Sequence, residues 1–325
     1  MPVEDWAFSK EYIWRTDGAN PLAPRDLLVY GTYIPDWSTT GHSGTLDQIG
    51  NITTSYDGQV IENLDVYGTI RIRHSNVTVR NCSIRGLMNT NPTFQIRVFP
   101  AGPNNTALNP VARVVDCTIW GPDGVDAYSS GNASLGRNTI WERCNMYGTT
   151  DGLGMTYANN YMLGCWVHDL RWFANDPGHS DGSHSDGVQL HGGGGNNYIF
   201  GNLIEMGYHG NAAIMMGQES PGPYTGEGYG SAHIEKNWFR STEPVQADAC
   251  AVAVNISESQ NNPKVAMPNF SLIDNQFSAQ NTWRVNFHAL IGHRTYDDAL
   301  ANGRLYGNVV EGTNIPARIG RVNTP

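Results

Sequence analysis

Charge is scarce in this chain: Asp, Glu, Lys and Arg together make up 15% of its 325 residues. Only 3 of the 20 basic residues are lysine, and no segment forms a basic stripe. With a net charge of −10, the chain lacks the usual surface of a nucleic-acid-binding protein, so no nucleic-acid partner is expected. An arginine-lined groove could still bind an acidic polysaccharide, because a local patch can override the overall sign.

Long apolar segments are missing as well. No run of about 18 apolar residues occurs, which predicts that the chain has no membrane span. Residues 1–8 have neither a basic start nor an apolar stretch, so they do not predict a secretory signal. The four glycines at 192–195 are not followed by Gly-Lys-Ser/Thr, and they indicate a tight turn rather than a phosphate-binding loop.

The 3.6-residue period of an amphipathic helix is also absent, and an eight-residue pattern of alternating apolar residues recurs instead. Each copy has Cys or Asn at one fixed place, which we call the anchor position. A shorter copy at 60–66 carries Leu64 there. The eight full copies are 77–84, 112–119, 139–146, 160–167, 197–204, 232–239, 270–277 and 303–310, with anchors Cys82, Cys117, Cys144, Cys165, Asn202, Asn237, Asn275 and Asn308.

Successive anchors lie 18 to 38 residues apart, so the repeat is a structural unit whose loops vary in length. Repeats of this size are typical of solenoids, and the period-2 apolar residues indicate that this one is built from strands. Four of the five cysteines are anchors. They should stack as a buried column of free thiols, since buried cysteine behaves as a small hydrophobic residue.

A second family of strands begins with Asp-Gly and also recurs once per repeat. Its clear members are 123–128, 151–156 and 186–191, followed by the looser 209–215, 248–254 and 286–291. Strands that recur once per coil stack in parallel on their counterparts, and parallel crossovers are overwhelmingly right-handed.

On these repeats the chain resembles the right-handed parallel β-helix proteins of the pectate-lyase-like superfamily, from about residue 57 to about residue 312. The resemblance implies an all-β fold, a right-handed parallel β-helix of about nine coils. Residues 1–56 would then form an N-terminal cap or attachment arm, 57–312 the solenoid, and 313–325 a C-terminal cap or tail. The polar insertion 87–110 is expected to project from the rod.

Arginines are frequent in the first coils, where Arg71, Arg73, Arg80 and Arg85 lie within about 15 residues. They could bind an anionic sugar, but the composition favours pairing with nearby acids.

A candidate site lies on the second strand family. In 186–191, Val188 and Leu190 should point inward, so Gln189 and His191 point outward by the period-2 rule. Asp126 and Tyr128 form the outward pair in an earlier coil. The loop 168–184 would build a wall beside this face, with loops on rigid scaffolds often carrying function. Further substrate-binding candidates are Trp172, Arg171, His184 and Tyr208.

Three interpretations of the cluster remain open. Carboxylates from Asp123, Asp151, Asp181 and Asp186 could act as acid and base on a glycosidic bond. His168, His179, His184 and His191 could bind a metal, although no recognised ligand spacing is present. Alternatively, Asp123, Asp151 and Asp186 are one turn residue repeated three times, because Asp-Gly favours turns.

If the protein is an enzyme, we predict Asp186, His191 and Asp151 as its catalytic residues, placed around Gln189. No cofactor and no metal are expected. Polygalacturonases of this fold carry Arg-Ile-Lys and paired aspartates, whereas this chain lacks Arg-Ile-Lys and has Asp-Asp only at 297–298. No catalytic residue is therefore transferred from those families, since fold alone does not establish activity.

The chain is also similar to the β-helix minor tail proteins of phages of actinobacteria. This likeness implies a tail protein of the virion that binds, and could depolymerise, a host cell-surface polysaccharide. Residues 1–56 would contact other tail proteins, and a homotrimer is one alternative for the assembly. The other hypotheses are a secreted or cell-surface polysaccharide lyase or glycoside hydrolase, and a non-catalytic structural tail or baseplate component.

Overall fold

The computed structural model describes residues 30–86, 96–98, 112–121, 139–156, 160–174, 180, 182–191, 197–207, 210–216, 232–241, 252–256, 267, 269–278, 289–291 and 293–321. These residues form parallel strands in stacked sheets, together with a helix near the C-terminus. The arrangement is compatible with the predicted β-solenoid, and the all-β class is confirmed.

Four sheets, here called I to IV, contain 28 strands that we number in chain order. Sheet I consists of β1 (Asp47–Ile49), β4 (Leu64–Tyr67), β7 (Ser83–Arg85), β10 (Thr118–Trp120), β12 (Asn145–Tyr147), β15 (Trp166–His168), β18 (Leu203–Met206), β21 (Trp238–Ser241), β24 (Gln276–Phe277) and β27 (Val309–Val310). Sheet II consists of β3 (Val60–Glu62), β6 (Val77–Arg80), β9 (Ala112–Val115), β11 (Thr139–Glu142), β14 (Tyr161–Leu163), β17 (Asn197–Phe200), β20 (Ala232–Glu235), β23 (Ser271–Ile273) and β26 (Leu305–Tyr306).

The other two sheets are shorter. Sheet III consists of β13 (Leu153–Thr156), β16 (Ser185–His191), β19 (Gly210–Met216), β22 (Val252–Ile256), β25 (Ala289–Ile291) and β28 (Ile319–Arg321). Sheet IV consists of β2 (Ile52–Thr53), β5 (Ile70–Ile72) and β8 (Ile96–Val98). Neighbours within a sheet come from successive repeats and pair in parallel, as the sequence pattern predicted.

Each eight-residue pattern folds as two strands, the first in sheet II and the second in sheet I. The residue just before every anchor has a left-handed backbone, with φ between 48° and 68°, and this residue turns the chain from one sheet into the other. Gly, Asn and Asp adopt this conformation most readily. The nine turn residues are Asn63, Asn81, Asp116, Arg143, Gly164, Gly201, Lys236, Asp274 and Gly307.

The anchors form one buried column. Cys82, Cys117, Cys144 and Cys165 are free thiols with no exposed surface, which confirms the prediction for these four. Beyond them the column continues as hydrogen-bonded asparagine side chains. Each Nδ2 donates to the Oδ1 of the next anchor, at 2.9 Å from Asn202, 3.0 Å from Asn237 and 2.9 Å from Asn275.

Of the segment 1–56, predicted as an N-terminal cap or attachment arm, the structure describes residues 30–56. Residues 30–46, here called the strap, run along the side of the stack over the turns between sheets II and I. The Tyr30 carbonyl lies against Gly201, the Gly41 amide donates to the Arg143 carbonyl at 2.9 Å, and the Ser43 amide donates to Asn81 Oδ1 at 2.7 Å. The strand ladder then starts at Asp47, ten residues before the expected boundary at 57.

Beyond residue 312, where the sequence predicted a C-terminal cap or tail, one further strand is present. Strand β28, at Ile319–Arg321, pairs in parallel with β25 and so extends sheet III. A helix, α1 (His293–Ala301), buries Ala299 in the core, while Ile319 packs against the same core. The sequence did not predict this helix, which is too short to show several turns of periodicity.

The insertion 87–110 was predicted to project from the rod, and this is wrong for the part that the structure describes. Strand β8 pairs in parallel with β5, and the side chain of Ile96 in β8 is fully buried. Within the described residues, no helix is long and apolar enough to cross a membrane.

Candidate functional site

Sheet III carries the face that the sequence singled out. Val188 and Leu190 are buried and Gln189 is half-buried, as the period-2 rule predicted for these three residues. Gln189 pairs in register with Gly154 on one side and Met215 on the other. Gly154 is buried and has no side chain, so no side chain projects at that position beside Gln189.

Asp186 lies beneath this face and is only 2% exposed. Its Oδ2 accepts a hydrogen bond from Gln189 Nε2 at 2.8 Å. Its Oδ1 accepts from Asn211 Nδ2 at 3.0 Å and from the Ala212 amide at 3.1 Å. Both carboxylate oxygens are therefore engaged by amide donors, and the group is enclosed rather than presented to solvent.

A β-bulge supplies one of those donors. Ser185 pairs with Gly210 and Asp186 pairs with Ala212, so Asn211 is the additional residue in its strand. Bulges are frequent next to functional sites, where they redirect a side chain. Here the bulge directs the Asn211 amide at the buried carboxylate. The sequence analysis missed Asn211, because a bulge depends on the pairing of two strands distant in sequence.

Burial raises the pKa of Asp186 to about 6, while the bonds from Gln189, Asn211 and Ala212 and the nearby His184 act in the opposite direction. Strongly perturbed carboxyl groups are enriched at functional sites, although structural networks also produce them.

Asp151 contacts Asp186 through the backbone. Its Oδ1 accepts a hydrogen bond from the Asp186 amide at 2.9 Å, just as Asp186 Oδ1 accepts from the Ala212 amide of the following repeat. The two aspartates thus perform the same task in successive repeats. This recurrence favours the interpretation of Asp-Gly as a repeated turn element, and the catalytic assignment of Asp186 and Asp151 stays a prediction.

The wall beside the face is fastened to the strand that follows it. The Phe173 amide donates to Ser183 Oγ at 2.8 Å, and the Ser183 amide returns a bond to the Phe173 carbonyl at 2.9 Å. Ser185 Oγ also donates to the Arg171 carbonyl at 2.9 Å. These bonds fix the backbone on both sides of Trp172.

Trp172 is 36% exposed, and its indole packs directly against Gly182. A Cβ atom at Gly182 would lie 2.4 to 2.6 Å from the indole ring, and its φ of +101° also favours glycine. The structure therefore holds a partly exposed indole at the wall, while His184 is exposed one residue before Ser185.

Several predicted residues lie outside what the structure describes. Of His191 only the backbone is described; it pairs with Thr156 in sheet III. Within the described residues, no group of three His, Cys, Asp or Glu side chains is arranged to hold a metal ion. His168 instead ends strand β15, with its Nε2 2.8 Å from Asn145 Oδ1. The candidates outside the described residues are Asp123, Asp126, Tyr128, His179, Asp181 and Tyr208.

The early arginines divide into two groups. Arg80 pairs with Glu62 at 2.5 Å and Arg85 with Asp65 at 2.5 Å, which confirms the expected pairing for these two. Arg71 is exposed on sheet IV.

A ladder of aromatic rings on sheet I was not recognised in the sequence. Its rings are Trp120, Tyr147 and His168, each at the outward position three residues after an anchor. The ring centroids of Trp120 and Tyr147 are 6.1 Å apart, and those of Tyr147 and His168 are 5.1 Å apart. Trp166 stacks on His168 at 3.8 Å. The signal was present in the sequence, since the period-2 rule places all three residues on the outside.

No protein-family model, curated protein or solved structure matches this chain.

The raised pKa of Asp186 predicts a specific pH dependence of stability. The Asp186 carboxyl has a pKa of about 6 in the folded state, against the ordinary 3.8, so it is more easily protonated there. Its contribution to the free energy of unfolding is therefore fully present below about pH 4 and is lost as pH rises through 6. Relative to wild type, Asp186→Asn should gain up to about 3 kcal/mol between pH 4 and pH 7. Denaturant unfolding at several pH values measures this difference, and parallel curves for the two proteins would contradict it.

Proposed function

We propose that the protein is a β-solenoid that binds a host cell-surface polysaccharide on the outer face of sheet III. The observation that carries the proposal is the partly exposed indole of Trp172, held against Gly182 in the segment that leads into the Gln189 strand of sheet III. Sugar sites combine a flat apolar ring, which packs on the C–H face of a pyranose, with a few fixed polar groups that orient its hydroxyls.

Sheet III and the residues just before its strand β16 also supply polar groups. Gln189 and Asn211 carry amides that are already oriented by Asp186, at 2.8 and 3.0 Å. His184 adds a ring that can donate or accept a hydrogen bond. Since the amides are fixed before binding, little conformational entropy is lost when a sugar engages them.

The contacts favour binding over cleavage. A general acid must reach the glycosidic oxygen. Asp186 is 2% exposed and both of its oxygens accept hydrogen bonds within the protein.

The finer features implied by the resemblance are part of the same proposal. They are the right-handed coil of about nine turns, the pectate-lyase-like superfamily, the location in a phage tail, contacts of residues 1–56 with other tail proteins, and a homotrimer. The left-handed turn residue before each of nine anchors supports the coil number.

We expect Trp172→Ala to weaken binding to purified actinobacterial cell-surface polysaccharide by about tenfold, because one ring face of apolar contact is removed. Calorimetric titration of the full chain measures this effect. Tyr56→Ala is the matched control, since Tyr56 is 60% exposed and lies outside the proposed site, and it should bind as wild type.

A reducing-end assay and product absorbance on the same polysaccharide test for cleavage. If wild type releases new ends and Asp186→Ala does so equally, the catalytic assignment of Asp186 is wrong. If neither binding nor cleavage occurs with any such polysaccharide, the proposed function is wrong and a structural role is favoured.

A further inference from the structure

Trp37 is the most exposed large apolar side chain among the described residues, at 63%. It belongs to the strap, where it is the second residue of a tight turn that starts at Asp36. Asp36 Oδ1 accepts from the Ser38 amide at 2.8 Å, and the Thr40 amide donates to the Asp36 carbonyl at 3.0 Å. The backbone on both sides of Trp37 is therefore fixed, although the side chain faces solvent.

The surface beneath Trp37 is the aromatic ladder of sheet I. Its indole approaches Trp166 at 5.1 Å, His168 at 5.3 Å and Tyr147 at 5.9 Å between ring centroids. The interplanar angles are 82°, 76° and 67°, so Trp37 stands nearly perpendicular to all three rings.

These angles determine which side of Trp37 is exposed. The ladder rings stack on one another, as Trp166 does on His168 at 3.8 Å, so their edges point away from the stack. Trp37 is perpendicular to these rings and only 5.1 to 5.3 Å from them, so it meets their edges with its face. If its own edge met their edges, the ring centroids would lie farther apart. One face of Trp37 thus lies on the ladder, and the opposite face is open.

Polar groups neighbour Trp37 in the turn and neighbour the ladder residue His168. The Asp169 carboxylate is 76% exposed while it holds His168 Nδ1 at 2.7 Å. Asp36 and Ser38 are exposed on either side of Trp37 in the turn. The exposed indole thus stands on an aromatic base, with Asp36 and Ser38 next to it in the chain and Asp169 at the base residue His168.

We propose that the outer face of Trp37 is a second carbohydrate-binding surface, which stacks on a pyranose ring of a neutral glycan while Asp169 and Asp36 accept hydrogen bonds from its hydroxyls. A pyranose has the matching character, with an apolar C–H face and hydroxyl donors at its rim. Acidic sugars are disfavoured by the two carboxylates. This inference rests on the proposed function only for the class of ligand, since it uses sheet I and the strap rather than sheet III.

The test uses the full chain labelled with 5-fluorotryptophan and titrated with neutral hexasaccharides of β-1,4-glucose, α-1,4-glucose and β-1,4-N-acetylglucosamine. Trp37→Phe assigns the fluorine signal of Trp37. We expect this signal to shift with at least one hexasaccharide, and Trp37→Ala to bind that sugar about tenfold more weakly.

Asp169→Asn tests the same surface with a variant that should leave the fold intact. Asp169 has a φ of 47°, which asparagine also tolerates, and an asparagine Oδ1 can still accept from His168. This variant should keep the wild-type unfolding midpoint and weaken binding about threefold. Binding unchanged in both Trp37→Ala and Asp169→Asn overturns the proposal.

The outcomes also separate this inference from the proposed function. In Trp172→Ala the Trp37 signal should still shift, because the two surfaces share no residue. A shift of the Trp172 signal alone would overturn the second surface and leave the sheet III site standing. No shift of either signal with any of the three hexasaccharides overturns the inference from Trp37, while the sheet III proposal is then judged on the cell-surface polysaccharide itself.

Discussion

Replacing Asn237 with alanine should lower the free energy of unfolding by about 3–5 kcal/mol, the range expected when several buried polar groups lose their partners at once. Asn237 has no exposed surface, and its Nδ2 donates to the Ile199 carbonyl at 2.8 Å and to Asn275 Oδ1 at 3.0 Å. Its Oδ1 accepts from the Asn202 amide at 3.0 Å and from Asn202 Nδ2 at 2.9 Å. Alanine would leave all of these groups without that partner, and water cannot reach them.

Cys117→Ala is the matched control, because Cys117 is an equally buried anchor in the same column. Its thiol is a weak donor, with Sγ 3.2 Å from the Val115 carbonyl, so its removal mainly leaves a small cavity. We expect a loss of about 1 kcal/mol. Chemical denaturation of both variants measures the comparison, and equal losses would show that the asparagine ladder contributes no more than packing does.

The repeat was predictable because its period-2 pattern and its anchors recur locally in the sequence. The turn inside each repeat was not recognised, although seven of the nine turn residues are Gly, Asn or Asp. Arg143 and Lys236 adopt the same backbone without any propensity for it. Their conformation is imposed by the stack, since each amide donates to the carbonyl of the next repeat, Leu163 for Arg143 and Ile273 for Lys236.

The candidate site was predictable in part for the same reason. Alternation fixed the direction of Gln189, and the repetition of Asp-Gly indicated the shared role of Asp151 and Asp186. The contact of Asn211 with Asp186 depends on a bulge between strands 25 residues apart in sequence, and no local pattern reveals it. The strap is still less accessible from sequence, because Trp37 meets residues more than 100 positions away.

Replacing Glu142 with glutamine should destabilise the protein by about 2–4 kcal/mol and loosen the strap. Glu142 is 2% exposed on sheet II, where Arg113 and Arg143 form ion pairs with it and the Tyr30 hydroxyl donates to it. Removing one partner of a buried pair leaves the other charge uncompensated, at a cost of about 3–5 kcal/mol. Here the arginine side chains are 22% and 31% exposed, and Arg143 keeps its ion pair with Asp116, so we expect the lower range.

The pKa of Glu142 leads to the same conclusion. Burial raises this pKa. The opposing effects of Arg113, Tyr30 and Arg143 are together larger, so the pKa lies below the usual 4.5. A lowered pKa stabilises the fold above the unfolded-state value and loses that stabilisation as pH falls through the folded-state value. The difference in stability between wild type and Glu142→Gln should therefore shrink in acid.

Glu62→Gln is the control for Glu142→Gln, because Glu62 also pairs with an arginine but the side chains are 42% and 56% exposed. Such surface pairs contribute about 0–1 kcal/mol, so this variant should unfold near wild type. The hydrogen-exchange rate of the Gly41 amide measures how firmly the strap is held, since this amide donates to the Arg143 carbonyl at 2.9 Å. If Glu142→Gln lowers stability while Gly41 exchanges as slowly as in wild type, Glu142 stabilises sheet II without fastening the strap.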